Sequence, residues 1–154
     1  DFANVPDERT RFKKLSTAAK DMAKEFEIPV IATMEYNKSG SWEGKPTNNS
    51  ISESIAMEYD ANAIIHIYNE LHTKRDEANC FFKRRDQHGN SYPAPRCELI
   101  FGKNKINEFK GSLYMDFFTE QSRFESVPTS VAISEIEAVK EQRKGSKNAN
   151  HQYK

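Results

Sequence analysis

Residues 28–38 read IPVIATMEYNK, an apolar and small-residue run that leads directly into Glu35, Asn37 and Lys38. Such an uninterrupted run is typical of a strand that is buried on both faces of a sheet. Polar residues at the carboxyl end of such a strand lie where α/β proteins commonly bind ligands. The stretch therefore predicts a central buried strand with a functional rim that begins near Glu35.

An amphipathic helix is predicted immediately upstream of this strand, over residues 8–26. Pro29 lies just past the end of the pattern, and a helix followed by a buried strand is typical of parallel α/β sheets. The apolar positions of the helix recur at steps of three or four residues, at Phe12, Leu15, Ala19, Met22 and Phe26.

Further elements are predicted downstream. Ser50 and Glu53 have capping-box spacing, which indicates a short helix to about Tyr59. A second buried strand follows, and three later strands are expected to pair antiparallel because no helix-length sequence separates them. At the C-terminus we expect a short helix near residues 134–143 and a basic, disordered tail. The predicted strands are AIIHIY (63–68), NCFFKRR (79–85), CELIFGK (97–103) and SLYMDFF (112–118).

Composition limits the class of protein. The 154 residues suffice for one domain, and 23 basic residues balance 23 acidic ones, so only local patches can attract an anionic partner. One such patch is Lys83 to Arg85, although a solvated face is the more common explanation of such a charge run. Two cysteines form no disulfide framework, and no stretch approaches the ~20 apolar residues of a membrane span. We expect a reduced, cytoplasmic protein that is not secreted.

The sequence begins at Asp1 without an initiator methionine. We expect it to be a fragment, a processed product or one half of a split protein.

Metal and nucleophile patterns are weak. His72, Cys80, His88 and Cys97 fall at intervals of eight or nine residues, whereas zinc ligands usually occur in close pairs. His66, inside a predicted strand, is interpreted as a core or edge residue, and no serine or cysteine triad signature occurs. Carboxylates remain, because acidic residues at strand ends can hold Mg²⁺ and orient water in nucleotide hydrolases.

Four blocks, in order, resemble the DnaB family of replicative helicases after its Walker B strand. LSTAAKDMAKEFE and IPVIATMEYNK are similar to that family's S-x-x-L-K-x-L-A-K-E-L helix and I-P-V-I-A-L-S-Q-L-N-R strand. NSISESIAMEYDANAIIHIY is similar to S-D-L-R-E-S-G-A-I-E-Q-D-A-D-V-V-I-F-L-Y. KNKINEFKGSLYMDFF and Ser122-Arg123-Phe124 resemble its K-x-R and T-R-F blocks. The resemblance covers roughly residues 1–125.

The resemblance implies an α/β fold with a partial RecA-like core: parallel strands flanked by helices, with antiparallel strands added toward the C-terminus. Residues 1–128 would be the C-terminal portion of a helicase motor domain, and 129–154 a short helix with its tail. It further implies the cofactors ATP and Mg²⁺ and, as partners, single-stranded DNA, neighbouring subunits of a homo-hexameric ring, the N-terminal part of the motor, and a primase or loader. A phage source is expected.

Site roles follow from the same resemblance. Asp1 would be the Walker B aspartate that helps hold Mg²⁺, and Glu35 stands where the family has its γ-phosphate-sensing Gln. Lys103 and Lys105 stand on the K-x-R pair that reaches the neighbour's nucleotide. Arg123 of the T-R-F block would also contact the cofactor. Single-stranded DNA would be contacted by the R-E-S-G segment and nearby lysines, namely Ser52, Glu53, Ile55, Lys38 and Lys45.

Several departures from the family pattern alter these expectations. Glu35 places an anion opposite a polyanion, and Lys105 lacks the planar fork of Arg. Ser52 for Arg removes a phosphate-binding cation, and Ile55 for Gly a permissive backbone position. No G-x-x-x-x-G-K-[S/T] occurs in the 154 residues, so the chain alone is not expected to hydrolyse ATP. A non-catalytic RecA-like binding or assembly module and another RecA-like ATPase remain alternatives.

Overall fold

A computed structural model of the chain describes residues 7–36, 44–51 and 55–151, with the backbone alone for residues 8, 9, 55–57 and 146–151. These residues form a mixed α/β arrangement in which four consecutive strands, the last four, precede the final helix. The helices are α1 (Glu8–Glu25), α2 (Ile55–Asp60), α3 (Glu70–Lys74) and α4 (Thr129–His151). The strands are β1 (Ala63–Asn69), β2 (Phe81–Arg85), β3 (Ser91–Asn104), β4 (Ser112–Phe118) and β5 (Arg123–Val127).

The five strands form one sheet in the order β1-β3-β4-β5, with β2 also paired to β3. β2 runs antiparallel to the first part of β3, with Phe81 opposite Pro95, and β4 runs antiparallel to the next part, with Arg96 opposite Asp116. β5 is antiparallel to β4. The predicted mixed α/β class, with antiparallel strands toward the C-terminus, is confirmed.

The predicted central strand at residues 28–38 is wrong for the part that the structure describes. Residues 28–35 have no regular secondary structure, and Tyr36 makes an isolated antiparallel bridge with Ile51. Ile28 is 47% exposed and Ile31 is 91% exposed. A strand buried on both faces needs paired strands beside it and cover on both sides. The described part of the chain places no paired strand along residues 28–35.

The other predicted elements have mixed outcomes. α1, β1 and β4 form where the sequence predicts them. β3 begins at Ser91 and not near residue 97, because its first five residues pair with β2. β5 and α3 were not predicted as elements, and α4 extends well beyond residues 134–143 in both directions.

The chain divides into two compact units, with boundaries inside β1 and β3. Unit 1 comprises the described residues up to His66 together with residues 101–110, and unit 2 comprises residues 67–100 together with those from 111 onward. In unit 2, α4 contributes Ala132 and Ile136 to an apolar cluster with β4 and β5. The other members of that cluster are Cys80, Tyr114 and Val127.

A buried charge network lies in the same unit. Arg96 is 2% exposed and donates to both carboxylate oxygens of Asp116, at 2.6 and 3.2 Å, and to Glu135 at 2.5 Å. The guanidinium thereby links strands β3 and β4 to helix α4.

Candidate nucleotide and nucleic-acid interface

The predicted site residues are described to different extents. Asp1, Lys38, Ser52 and Glu53 lie outside the described residues, and Ile55 is described only by its backbone, at the first position of α2. The side chains of Glu35, Lys45, Lys103, Lys105 and Arg123 are described. The first four of these belong to unit 1 and Arg123 to unit 2.

Glu35 and Lys45 both have exposed side chains. Glu35 immediately precedes Tyr36, the residue that bridges to Ile51. This bridge is the point where the 28–36 stretch is fixed by backbone pairing. The exposed side chain of Glu35 is therefore attached to backbone that lies next to a paired residue.

Lys103 is directed toward its own unit. Its ammonium donates to the backbone carbonyl of Tyr59 at 3.2 Å and to that of Glu58. Both carbonyls belong to the last turn of α2, where helix carbonyls lack intrahelical partners. A cation at this end also complements the helix dipole. Burial lowers the pKa of Lys103, and the neighbouring Lys105 lowers this pKa further.

Lys105 differs from Lys103 in its surroundings. It follows the last residue of β3, and its backbone N–H donates to the carbonyl of Asn62 at 2.8 Å, just before β1. Its side chain is exposed. The backbone is thus fixed while the ammonium remains accessible to solvent, which is the arrangement required for a contact with an external anion.

A buried histidine organises the polar contacts of unit 1. His66, 2% exposed, places Nε2 at 2.9 Å from Asn48 Oδ1 and Nδ1 at 3.4 Å from the Tyr36 hydroxyl. The Asn48 amide nitrogen donates to Glu58 Oε1 at 2.8 Å and to the Gly102 carbonyl at 3.2 Å. We call Tyr36, Asn48, Glu58, His66 and Gly102 the His66 cluster. Of the two positions that the sequence left open for His66, core or edge, its burial shows the core.

The partners in the His66 cluster determine the state of the imidazole. Glu58 and Gly102 offer only acceptors, so the Asn48 nitrogen faces them and its oxygen faces His66. Nε2 then carries the proton, and Nδ1 accepts from Tyr36. Burial lowers the pKa of His66, which favours this neutral form.

The end of α2 also contacts α1. Ser16, which is buried, donates to Asp60 Oδ2 at 2.7 Å, and Lys20 lies 3.2 Å from Asp60 Oδ1. The hydrogen bond from Ser16, followed by that from Lys20, lowers the pKa of Asp60. Asp60 therefore remains ionised and fixes the last residue of α2 against α1.

Arg123 is engaged within unit 2. Its Nε donates to Gln121 at 3.0 Å, its Nη1 pairs with Glu125, and the guanidinium lies 4.4 Å from the centre of the Phe118 ring. Much of the guanidinium is therefore occupied by β4, β5 and the turn between them, and Arg123 is not positioned here as a free cation.

No group of three His, Cys, Asp or Glu side chains suited to a metal ion occurs among residues 7–36, 44–51 and 55–151. The predicted Mg²⁺ ligand, Asp1, lies outside these ranges. Within the same described ranges, no helix is long and apolar enough to cross a membrane.

Comparison with known proteins identifies the family. Residues 3–126 match the model of the DnaB-like helicase C terminal domain. The chain belongs to this family. The replicative DNA helicase DnaB of Buchnera aphidicola (subsp. Schizaphis graminum) is 32% identical over 126 residues, which are 80% of this chain and 24% of that protein. The DnaB of Haemophilus influenzae is 31% identical over 124 residues, 79% of this chain and 23% of that protein.

This DnaB-like chain spans about a quarter of the length of these curated relatives. The match extends over α1, the 28–36 stretch, α2, β1 through β4 and all of β5 but its last residue. The region covered includes every predicted site residue except Asp1.

Sequence reasoning did not predict the His66 cluster of this DnaB-like domain. One signal was present, because His66 stands in the otherwise apolar AIIHIY where the family pattern carries Phe. A polar residue in a buried strand requires a hydrogen-bonding partner. Asn48 could not be identified as that partner from spacing, since 18 residues separate it from His66.

Proposed function

We propose that this DnaB-like domain is part of an ATP-driven replicative DNA helicase that translocates on single-stranded DNA and unwinds duplex. The observation that carries the proposal is the family match over residues 3–126. The full motor would include a P-loop-bearing N-terminal part, which cradles the phosphates through backbone amides and a lysine.

ATP and Mg²⁺ are the proposed cofactors. A polyanion is favoured at Lys105, because its exposed ammonium group lies near that of a second lysine, Lys103. Asp1 would hold Mg²⁺ and, with Glu35, would face the nucleotide from one side, while Lys105 would reach it from the neighbouring subunit of a homo-hexameric ring. The carboxylate of Glu35 fits a triphosphate poorly, since like charges repel unless a metal ion shields them.

Single-stranded DNA is the proposed track, contacted by Ser52, Glu53 and Ile55 with help from Lys38 and Lys45. Main-chain amides next to α2 would hold the phosphate backbone, so binding should weaken steeply as salt rises. A primase or loader is a further proposed partner, and the proposed setting is the cytoplasm of a bacterial or phage-infected cell.

The decisive experiment measures phosphate release by the chain expressed together with the P-loop-bearing part, with and without oligo(dT). We expect ATPase activity that DNA stimulates. Lys105→Ala should lower the rate at least about tenfold, because trans-acting cations of this kind contribute up to about 10³–10⁵. The absence of DNA-stimulated ATPase in the complete assembly would contradict the proposal.

The alternative is a non-catalytic RecA-like binding or assembly module, which Glu35 specifically favours. In that case Lys105→Ala would leave binding intact with no ATPase to lose. Glu35→Gln adds a second comparison in the complete motor. The rate should rise if Glu35 is a defect, and should stay constant or fall if the site is adapted to a carboxylate.

A further inference from the structure

The basic run from Lys83 to Arg85 lies on β2, which forms a hairpin with the first part of β3. The whole hairpin belongs to unit 2. Successive side chains of a strand point to opposite faces, so Lys83 and Arg85 share one face while Arg84 lies on the other. The run of three cations is therefore divided into a pair and a single residue, and their surroundings differ.

The single residue, Arg84, is engaged within unit 2. Its Nη1 donates to Glu120 Oε2 at 2.7 Å, and its guanidinium lies 5.2 Å from the centre of the Phe118 ring. Phe82, on the same face of β2, also contacts Phe118, with 5.3 Å between the ring centres. Ala94, opposite Phe82 on β3, is buried. This face of the hairpin therefore packs against the end of β4 and the turn that follows it.

The opposite face of the hairpin is exposed. Lys83 lies opposite Pro93 and Arg85 opposite Ser91, and all four residues are exposed. The side chain of neither cation has an ion pair or hydrogen bond with another residue in the part of the chain that the structure describes. The two positions are about 7 Å apart along the strand, so each cation can contact a different anionic group. We call these four residues the open face; it carries two positive charges and no acidic or aromatic side chain.

The turn of the hairpin fixes the backbone that carries the open face and engages the acid that follows Arg85. Asp86 Oδ1 accepts from the backbone N–H groups of His88 and Asn90, both at 2.8 Å, and the Asn90 side chain donates to Oδ2 at 3.1 Å. Gly89 has a φ of 83°, which glycine adopts without strain. A preformed turn reduces the conformational entropy that is lost when a ligand binds.

We infer that the open face is a contact for the phosphate backbone of duplex DNA. Duplex DNA carries one charge per about 1.7 Å of its axis, a dense array of anions for two neighbouring cations. Proteins that hold single strands combine cations with aromatic side chains on which the bases stack, and the open face has the cations without the aromatics. The choice of nucleic acid rests on the proposed function, because a helicase that unwinds duplex meets it at the fork. Such a contact is independent of base sequence.

A basic edge strand also has a purely structural explanation. In the described part of the chain β2 pairs with β3 alone, and lysines on such an edge oppose pairing with another chain. Removal of the charges would then cause self-association and leave DNA binding intact, so one set of variants distinguishes the two explanations.

The test measures binding of the 154-residue chain to a short fluorescein-labelled duplex by anisotropy, over a series of salt concentrations. Labelled oligo(dT) and labelled poly(glutamate) are measured in parallel. The variant Lys83→Gln/Arg85→Gln removes both charges of the open face. Its matched control is Lys140→Gln/Lys144→Gln, which removes two exposed cations from α4 in the same unit.

Two further variants separate charge from fold. Lys83→Arg/Arg85→Lys exchanges the two side chains and keeps both charges. Arg84→Gln/Glu120→Gln removes the ion pair on the opposite face without changing the net charge. Sedimentation of every variant reports self-association.

For Lys83→Gln/Arg85→Gln we expect duplex affinity to fall at least about tenfold at low salt. The slope of log K against log salt concentration should become shallower by about 1.8, since two phosphate contacts contribute about 0.9 each. Affinity for oligo(dT) should fall less than affinity for the duplex. The α4 control, the exchange variant and the Arg84/Glu120 variant should keep the slope of the parent chain.

Equal losses in the open-face variant and the α4 control would overturn the inference, since overall charge would then explain the binding. So would a parent chain that binds no duplex, or one that binds poly(glutamate) as tightly as duplex. A larger loss for oligo(dT) than for duplex would assign the open face to single strands. Self-association of the open-face variant with unchanged DNA binding would assign its charges to protection of the strand edge.

The proposed function fails separately from this inference. A complete motor without DNA-stimulated ATPase would remove the proposed function, whereas the binding comparison requires neither nucleotide nor hydrolysis. A chain whose open-face variant behaves like the parent would remove the duplex contact and leave the proposed helicase activity in place.

Discussion

Unit 1 and unit 2 are stabilised by different kinds of contact. In unit 2, helix α4 packs on β4 through an apolar cluster that includes Tyr114 and Ala132, and the buried Arg96 pairs with acidic side chains of β4 and α4. In unit 1, the most buried large side chain is His66, and hydrogen bonds connect it to its neighbours. Apolar residues such as Ile31 remain exposed there. Unit 1 should therefore respond to protonation and small steric changes, and unit 2 to loss of charge pairing or apolar contact.

The largest effect is expected for Arg96→Met in unit 2. The change leaves Asp116, with 16% of its side chain exposed, without its bidentate partner. Removing one member of a buried ion pair costs about 3–5 kcal/mol. Urea unfolding of the chain should show this loss.

The matched control for that prediction is Arg96→Met combined with Asp116→Asn, which removes both charges of the pair. We expect much of the stability to return. Equal losses in the single and double variants would mean that packing of the Arg96 side chain, and not charge pairing, stabilises this region.

A smaller loss of stability, with a local steric cause, is expected for Gly102→Ala in unit 1. A Cβ at this position would lie 2.6 Å from His66 Nε2 and closer still to Asn48 Oδ1. Their hydrogen bond must break or the strand must shift, at a cost of about 1–3 kcal/mol. Gly145→Ala is the control, because nothing lies within 4 Å of its added methyl. If both variants were equally stable, the His66 cluster would not be closely packed.

The third prediction concerns pH. The pKa of His66 in the folded protein lies below its usual value of 6.5, because burial disfavours the charged form. The unfolded chain therefore binds a proton first as pH falls. Stability should be retained above pH 6.5 and decline below it, by up to about 1.4 kcal/mol per pH unit until the folded pKa is reached.

His66→Gln should flatten this part of the pH profile, since glutamine does not titrate. His88→Gln, at an exposed turn position, is the matched variant for loss of a histidine outside the His66 cluster. Unfolding free energies at pH 5.5 and 7.5 suffice for the comparison. A slope that survives His66→Gln would assign the titration to another group.

Sequence periodicity predicted the helices and strands that depend on local patterns. It failed for segments whose structure depends on residues distant in the chain. α1 and β4 were located correctly, because amphipathic and strand-like patterns are local signals. The apolar run at 28–35 indicates burial, but the pattern cannot supply the paired strands that a buried strand requires. β5 escaped prediction because Arg123 and Glu125 make it polar, although its pairing to β4 is regular.

The candidate site was predicted less completely than the fold. The resemblance identified Lys103 and Lys105 as a pair, and the structure gives them different surroundings. That difference arises because Lys103 meets the end of α2, more than 40 residues earlier in the chain. No local pattern records such a contact.

The two cysteines provide a built-in probe of one unit. Cys80 and Cys97 are both 4% exposed, both belong to unit 2, and the chain has no others. Burial raises the pKa of Cys97, and a thiol reagent needs an accessible thiolate. The rate of thiol labelling in native buffer therefore reports how often unit 2 opens. Unit 1 contributes no signal because it contains no cysteine. Labelling kinetics can thus follow the fluctuations of one unit in the intact chain without any engineered label.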